Sequence, residues 1–247
     1  MIKISQTSKI RARSWSLNAL VTCAGSIEPK TGGLVDACQG CYATGGNYRY
    51  PNVKEPRTHN QTDWKRDEWV SDMVNELDND RYFRWFDSGD CYHPRLADKI
   101  YQVIKQTPHC NHWLPTRQYK IKKFQKILDK INNLPNCVVR FSSDSVIGKN
   151  DNPKYGSVIG LESHLSHTKV CEAYKTDKRG NKHADISIYT KDEKKKLGLG
   201  NCGTCRACWN KSIPIIGYIG HGLKMGKLIA KRITEWNLNN PNDLIAV

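Results

Sequence analysis

The chain has 247 residues, a formal net charge of +15 and a mean hydropathy of −0.66. This length is enough to bury a substantial core and suits one large domain or two small ones. No apolar run approaches the ~20 residues of a membrane span, and the basic N-terminus lacks the apolar segment of a secretory signal. We therefore expect a globular cytoplasmic protein that does not associate with membranes.

The charge predicts an anionic partner. Lysine and arginine are spread along the chain, in segments such as 120–126, 191–196 and 222–232. Phosphates neutralised by such side chains release their counterions, so DNA or RNA is the expected partner. The dispersal favours a broad phosphate-facing surface over a single basic tail, and the alternative is that the charge serves solubility only.

Strands and helices alternate over the first 142 residues. The apolar run 14–23 predicts a buried strand. It is followed by helix 62–77, strand 81–86, helix 93–107, strand 112–115, helix 119–133 and strand 137–142. Such alternation predicts parallel βαβ units with right-handed crossovers. The expected fold is therefore α/β, a full or partial (β/α) TIM-like barrel.

Beyond residue 148 the alternation is less regular. Strands are expected within 155–172 and 184–190, a final strand at 213–222 and a closing helix at 221–236. We expect a single barrel-like domain of residues 1–247. Within it, segment 150–212 is predicted to be a cysteine-rich, metal-binding excursion.

Polar or reactive residues follow four predicted strands, at Cys23 and at segments 87–90, 116–117 and 142–145. Chemistry in parallel α/β proteins collects at the carboxyl ends of the strands. Carboxylates there suit acid–base work or hydroxyl binding, and an arginine pairs with carboxylate or phosphate. Turn capping is the alternative for each aspartate. The candidate catalytic residues are Asp87, Asp90, Arg117 and Asp144.

The candidate cofactor-binding residues come from the same strand ends and from the glycine pair behind the first cysteine loop. They are Gly45, Gly46, Ser88, Gly89 and Ser143.

Ten cysteines without a signal peptide indicate reduced thiols that serve metal binding or catalysis rather than disulfides. Three of them stand alone, and we expect Cys91, Cys110 and Cys137 to be small buried apolar residues. The other seven fall into two groups with ligand-like spacing.

The first group is Cys23, Cys38 and Cys41, spaced C-x14-C-x2-C. Three thiolates can hold a [4Fe–4S] cluster and leave one iron open for a substrate or cofactor. Zinc normally takes a fourth protein ligand or keeps a water, and the nearest candidates are Asp36 and His59. The lack of an obvious fourth ligand favours a cluster, with half of a zinc knuckle as the alternative.

The second group is Cys202, Cys205 and Cys208, spaced C-x2-C-x2-C, with Cys171 as the expected fourth ligand. This spacing is typical of ferredoxin-type clusters. Four thiolates also satisfy a closed structural zinc site. The sequence leaves both metals open for this group.

Several motifs together resemble the phage proteins called gene product 88-like. They are C-x-x-C-Y-A-x-G-G at 38–46, SGD at 88–90, TR at 116–117, and CGTCRAC followed by IGYIGHG within 202–222. The resemblance covers about residues 15–222. It implies a phage-encoded protein of the host cytoplasm and brings no activity with it.

The first cysteine loop, with an aromatic residue directly behind Cys41, also resembles radical S-adenosylmethionine (SAM) enzymes. In those enzymes three cysteines hold a [4Fe–4S] cluster above a partial TIM barrel, usually spaced C-x3-C-x2-C. The resemblance implies that the first cysteine group binds the cluster and that SAM occupies its open iron. It implies an auxiliary cluster or zinc at the second group, and contacts to cofactor or substrate from Asp87, Arg117 and Asp144.

A further resemblance is to guanine transglycosylases, which exchange guanine for a 7-deazaguanine in RNA or DNA. It rests on DSG at 87–89, LPTR at 114–117 and a cysteine-bound metal. It implies that Asp87 attacks the sugar and that Asp144 handles protons.

We therefore expect an iron–sulfur, radical-SAM-like enzyme that modifies a nucleic acid or a nucleotide. The alternatives are a zinc-containing guanine transglycosylase and a non-enzymatic, zinc-stabilised nucleic-acid-binding protein.

Overall fold

The structure is a computed structural model that describes residues 1–7, 9–150, 154–171, 173, 190, 192–193, 202–220 and 223–246. The chain divides into two compact units. The first unit comprises residues 1–7, 12–34 and 41–142, and the second comprises residues 8–11, 35–40 and 143–247.

The elements follow one another in mixed α/β order. The strands are β1 (Ser5–Gln6), β2 (Arg13–Trp15), β3 (Tyr82–Trp85), β4 (Asn111–Thr116), β5 (Cys137–Ser142), β6 (Gly156–Gly160), β7 (Lys169–Val170) and β8 (Ile215–Ile219). The helices are α1 (Asp36–Gln39), α2 (Pro51–Asp63), α3 (Trp69–Glu76), α4 (Pro94–Gln106), α5 (Lys122–Asn132) and α6 (Leu223–Asn239).

The sheet of the first unit has the strand order β1-β2-β3-β4-β5. Strand β1 is antiparallel to β2, and the pairs β2–β3, β3–β4 and β4–β5 are parallel. Helices α4 and α5 connect consecutive parallel strands, as the alternation predicts. Within this unit the sheet does not close on itself, so the predicted TIM-like barrel is not confirmed.

The strand predicted at 14–23 is wrong beyond Trp15. The amide of Leu17 bonds to the carbonyl of Ser88, 3.0 Å away, in the loop after β3. Leu20 then adopts a left-handed φ of 65°, and Thr22 turns back onto the carbonyl of Asn18. The apolar run predicts burial, but Leu20 and Val21 in the turn are exposed.

The helix predicted at 62–77 is two helices. Helix α2 ends at Asp63, whose carboxylate accepts a 2.8 Å hydrogen bond from Arg66 in the intervening turn. Helix α3 then begins at Trp69. Most of α2 was not predicted because it contains Pro56 and lacks an apolar face.

The other predicted elements of the first unit are confirmed to within three residues. The start of α4 shows why: Pro94 occupies its first turn, and the ring of His93 accepts a hydrogen bond from the amide of Arg95. A cap of this kind satisfies one of the amides that lack a helical partner.

Tryptophans dominate the core of the first unit. Trp15 of β2 lies edge-on against Trp69 at 5.3 Å between ring centroids, and against Trp85 of β3 at 6.1 Å. All three are fully buried. Such edge-to-face packing adds to the free energy gained by burying the rings. The solitary thiols are also confirmed as buried, since Cys91, Cys110 and Cys137 are at most 1% exposed.

The second unit has a parallel sheet in the order β6-β8-β7. Helix α6 packs its apolar residues Met225, Ile229 and Ile233 into a small core. Its Arg232 forms a bidentate ion pair with Asp36 of α1, with both N–O distances 2.8 Å. The predicted strands within 155–172 and the final strand and helix are confirmed, whereas a strand at 184–190 falls almost wholly outside the described residues.

None of the helices in the described ranges combines the length and the apolar character that a membrane span requires.

A buried histidine joins β3, β4 and α4. His112 is 0% exposed, and its Nδ1 accepts from Trp85 Nε1 at 3.2 Å. Its Nε2 therefore carries the proton and donates to Thr107 Oγ1 at 2.9 Å, which in turn donates to the Val103 carbonyl. Burial lowers the pKa of His112 from 6.5 to about 3, so the folded protein holds a neutral ring.

We expect His112→Phe to remove a source of acid sensitivity. The unfolded chain takes up a proton near pH 6.5 and the folded chain does not, so wild-type stability falls as pH drops below 6.5. Urea unfolding at pH 7.5 and pH 5 should show the stability advantage of wild type over the variant shrinking by about 2 kcal/mol. A constant advantage would contradict the neutral, buried assignment.

Candidate functional site

The chain leaves β3 through a strained residue. Phe86 has φ +57° although its ring is buried against Trp15. A bulky residue in the left-handed region costs about 1–3 kcal/mol and persists only where packing enforces it. Backbone strain of this kind concentrates at functional sites. It directs segment 87–90 across the carboxyl ends of β2 and β3.

Gly89 completes this turn with φ +75°. A Cβ at this position would lie 2.7 Å from both the Leu17 Cβ and the Thr22 Oγ1. The turn therefore requires glycine for packing reasons. The predicted cofactor-binding role of Gly89 stays a prediction.

Asp87 is the centre of a charged network. Its Oδ2 accepts from the Tyr48 hydroxyl at 2.5 Å and from Arg57 at 3.2 Å, and its Oδ1 accepts from Arg84 at 3.1 Å. Its backbone carbonyl accepts from the Tyr42 hydroxyl at 2.6 Å. Two guanidinium groups thus balance one carboxylate, and both tyrosines come from the loop behind Cys41. The network fastens that loop to the end of β3.

The guanidinium groups have further contacts. Arg57 Nε donates to Ser88 Oγ at 2.6 Å, and Ser88 donates to the Leu17 carbonyl at 2.8 Å. Arg84 lies over the ring of Trp113, 4.5 Å from its centroid. Burial, together with the neighbouring Tyr42 and Asp87, raises the pKa of Tyr48, so this phenol stays protonated and donates.

Asp90 joins the ends of β3 and β4. Its Oδ1 accepts from the Cys91 amide and the Thr116 hydroxyl, each at 2.7 Å, and its Oδ2 accepts from the Arg117 amide at 2.8 Å. Its own amide donates to Thr22 Oγ1 at 3.2 Å. The carboxylate is 6% exposed. Burial raises its pKa to about 6, against the opposing effect of the three donors.

Cys23 and Cys41 are both anchored at this edge. Cys23 follows Thr22, which bonds to Asp90, and precedes a 3-10 turn at Ala24–Ser26. In that turn Gly25 packs against the Arg117 carbonyl so closely that a Cβ would lie 2.4 Å from the oxygen. Cys41 precedes Tyr42, whose hydroxyl bonds to the carbonyl that follows β3.

Cys38 lies on α1 in the second unit, where it is buried. Its helix is held by the Asp36–Arg232 pair, and a Cβ on the neighbouring Gly40 would lie 2.7 Å from Met225 Cε. The three cysteines of the first group therefore belong to two units. Their predicted joint metal site stays a prediction.

Two cysteines of the second group, Cys171 and Cys208, contact residues of β8. The Cys171 amide donates to a carbonyl of that strand at 2.8 Å, and the Cys208 sulfur lies 3.3 Å from the Tyr218 hydroxyl. The thiols of Cys171 and Cys202 are hydrogen-bonded to each other, and this bond, together with burial, raises the pKa of Cys171. The Cys205 amide donates to the Cys202 carbonyl at 2.8 Å.

No disulfide forms among the ten cysteines, all of which lie in the described ranges. Within those same ranges, no three side chains of histidine, cysteine, aspartate or glutamate are close enough together to hold a metal ion. The thiols remain suitable ligands by chemistry, since iron–sulfur clusters and zinc both take thiolates.

The remaining predicted residues are placed as follows. Gly46 has φ +53°, and a Cβ on it or on Gly45 would meet nothing within 4 Å. In the second unit, the hydroxyl of Ser143 donates to the Lys149 carbonyl at 2.7 Å, and the carbonyl of Asp144 accepts from the Ala37 amide at 2.9 Å. The proposed roles of these residues stay predictions.

Sequence reasoning missed the residues that hold Asp87, namely Arg57, Arg84, Tyr42 and Tyr48. Arg57 lies in the helix that was not predicted, and Arg84 lies inside a strand. The one signal in the sequence was the group of tyrosines that follows Cys41 along the chain. The contacts of Arg57, Tyr42 and Tyr48 with Asp87 join residues 30–45 positions apart along the chain, whereas Arg84 lies three positions away.

The mostly parallel strands make this an α/β protein, the class in which ligands bind at the carboxyl ends of the strands. The chain matches the family model described as Gene product 88 over residues 2–211, and it belongs to that family. The resemblance to this phage family is thereby confirmed. No curated protein and no solved structure matches the chain.

We expect Asp90→Asn to destabilise the protein by about 2 kcal/mol at pH 7, because either amide orientation sets an N–H group against the amide of Cys91 or Arg117. Wild type gains a proton near pH 6 only when folded, so its stability rises relative to the variant as pH falls. Urea unfolding should show the gap widening by about 1 kcal/mol between pH 7 and pH 5.

The control is Asp98→Asn, on the exposed face of α4, which should change neither stability nor its pH dependence by more than about 0.5 kcal/mol. An Asp90→Asn protein as stable as wild type would show that the carboxylate does not hold the strand ends together.

Proposed function

We propose that the protein is an iron–sulfur enzyme of the radical SAM type that modifies a nucleic acid or a nucleotide. Cys23, Cys38 and Cys41 would bind a [4Fe–4S] cluster, and three cysteine ligands leave one iron coordination position open. A second cluster or a zinc ion occupies Cys171, Cys202, Cys205 and Cys208. The supporting observation is that the loops of Cys23 and Cys41 are both anchored at the carboxyl end of β3.

The chain's own residues have defined tasks in this proposal. Asp90 orients the Cys23 loop through Thr22 and the start of the β4 loop through Arg117. Asp87 and its tyrosines orient the Cys41 loop. A bound cluster would supply the electron for reductive cleavage of SAM to methionine, and the hydrogen atom that completes 5′-deoxyadenosine would come from the substrate. The net charge of +15 supports an anionic substrate.

One observation favours a second candidate, a non-enzymatic, zinc-stabilised nucleic-acid-binding protein. The Asp87 carboxylate is occupied by two arginines and a tyrosine, as expected of a structural anchor. The same occupancy weighs against the transglycosylase alternative, because a nucleophilic carboxylate must have an oxygen free to attack the sugar.

Anaerobic purification should yield iron and sulfide at about four each per cluster. Cys23→Ala and Cys41→Ala should each lower both contents by one cluster's worth. The matched control is Cys110→Ala, because Cys110 is buried in the hydrophobic core of the first unit and belongs to neither cysteine group. A preparation that contains zinc but neither iron nor sulfide would reject the radical SAM proposal. It would favour the non-enzymatic, zinc-stabilised nucleic-acid-binding protein.

If iron is present, the reduced protein incubated with SAM and nucleic acid should release 5′-deoxyadenosine. Cys41→Ala should release none, and Cys110→Ala should release as much as wild type. A cluster-loaded protein that forms no 5′-deoxyadenosine with RNA, DNA or nucleotides would contradict the proposed chemistry.

A further inference from the structure

Helices α4 and α5 carry a concentrated positive charge. Their sequences contain seven basic residues and only two acidic ones, Asp98 and Asp129. These two helices thus account for a third of the chain's net charge of +15.

Four lysines occupy one side of α5. At about 100° per residue, Lys122, Lys123, Lys126 and Lys130 fall within a sector of about 100°, opposite the buried Phe124. All four are exposed. In the described part of the chain, none of them has a carboxylate within ion-pair distance.

Helix α4 extends this surface. The Lys130 ammonium lies over the Tyr101 ring, 4.1 Å from its centroid, which brings the two helices together at this point. Lys105 is exposed and lies one turn beyond Tyr101 on the same side of α4. We call the five residues the lysine face: Lys105, Lys122, Lys123, Lys126 and Lys130.

The arrangement is unfavourable for the helix itself. Lys122, Lys126 and Lys130 follow at intervals of four, where like charges on a helix repel one another. Lys122 and Lys123 also stand in the first turn, where the helix dipole disfavours cations. Neither propensity nor packing calls for this pattern, whereas an external polyanion would relieve it.

The chemistry of the lysine face selects the kind of polyanion. A membrane-binding helix inserts apolar side chains beside its lysines. Here the apolar side of α5 is buried in the core, and none of the exposed large apolar residues in the described ranges lies between 94 and 132. A row of ammonium groups about one helical turn apart, 5.4 Å, suits the closely spaced charges of a nucleic acid strand.

We infer that the lysine face binds the phosphate backbone of DNA or RNA without reading its sequence. Ammonium groups act as point charges on phosphates and carry no base recognition here. The inference shares with the proposed function only the nucleic-acid partner. Its test uses no metal or cofactor, so each can fail without the other.

The test compares two triple variants of equal charge. One is Lys122→Gln with Lys126→Gln and Lys130→Gln on α5, and the other is Lys224→Gln with Lys227→Gln and Lys231→Gln on α6. Glutamine has nearly the helix propensity of lysine. Binding to a short labelled DNA duplex is measured by fluorescence anisotropy across a series of salt concentrations.

The α5 triple variant should bind the duplex at least about tenfold more weakly than wild type at low salt. The magnitude of its slope of log affinity against log salt should be smaller by about 2–3, because each lost phosphate contact removes ~0.9 from it. The α6 triple should change the slope by less than about one. The matching Lys→Arg triple on α5 should bind as wild type, since it keeps the charge.

Equal losses in the two glutamine triples would overturn the inference, because net charge alone would then explain the binding. Wild-type binding to anionic vesicles without binding to DNA or RNA would overturn it in favour of a lipid surface. Urea unfolding provides the folding check: the α5 triple should unfold at a urea midpoint close to that of wild type, because the removed like-charge repulsion offsets the lost contact of Lys130 with Tyr101.

Discussion

The buried carboxylate of Asp90 is the constraint on which the edge of the first unit depends. It accepts hydrogen bonds from the start of the loop after β3 and from the end of β4. The loop of Cys23 and the β4 terminus consequently meet at one point. Removing a charged group from water is costly, so such a residue is retained only when donors surround it. The positions of the Cys23 loop and of the β4 terminus therefore depend on the hydrogen bonds of Asp90.

Asp87 has a related task three residues earlier. Its charge is balanced by two arginines, one from β3 and one from α2. Its backbone carbonyl and its carboxylate accept hydrogen bonds from Tyr42 and Tyr48, which follow Cys41. Phe86, directly before Asp87, and Gly89, directly before Asp90, take left-handed conformations enforced by packing. The strand end is thus rigid, and rigid support is what a metal site or a substrate site requires of its scaffold.

The charged residues at the strand ends and those on the helices differ in their exposure and in their partners. The Asp90 carboxylate is buried and the Asp87 carboxylate is partly buried, and both accept several hydrogen bonds. The five lysines of the lysine face, in contrast, are exposed and have no ion-pair partners in the described ranges. A protein optimised for stability alone would pair them. The contrast separates residues that hold the fold together from residues that are available to a polyanionic partner, and it is the basis on which we infer a nucleic-acid contact on α4 and α5.

The sequence by itself determined the elements with strong periodicity, since α4, α5 and β5 follow from apolar spacing. It also predicted the burial of Cys91, Cys110 and Cys137, because each stands alone without a second cysteine at ligand spacing. Only the tertiary structure decided that 14–23 turns after Trp15, that α2 forms around Pro56, and which partners Asp87 and Asp90 take. Periodicity reports which face of an element is buried. Hydrogen bonds between residues distant along the chain leave no such local pattern, so they appear only when the strands have been brought side by side.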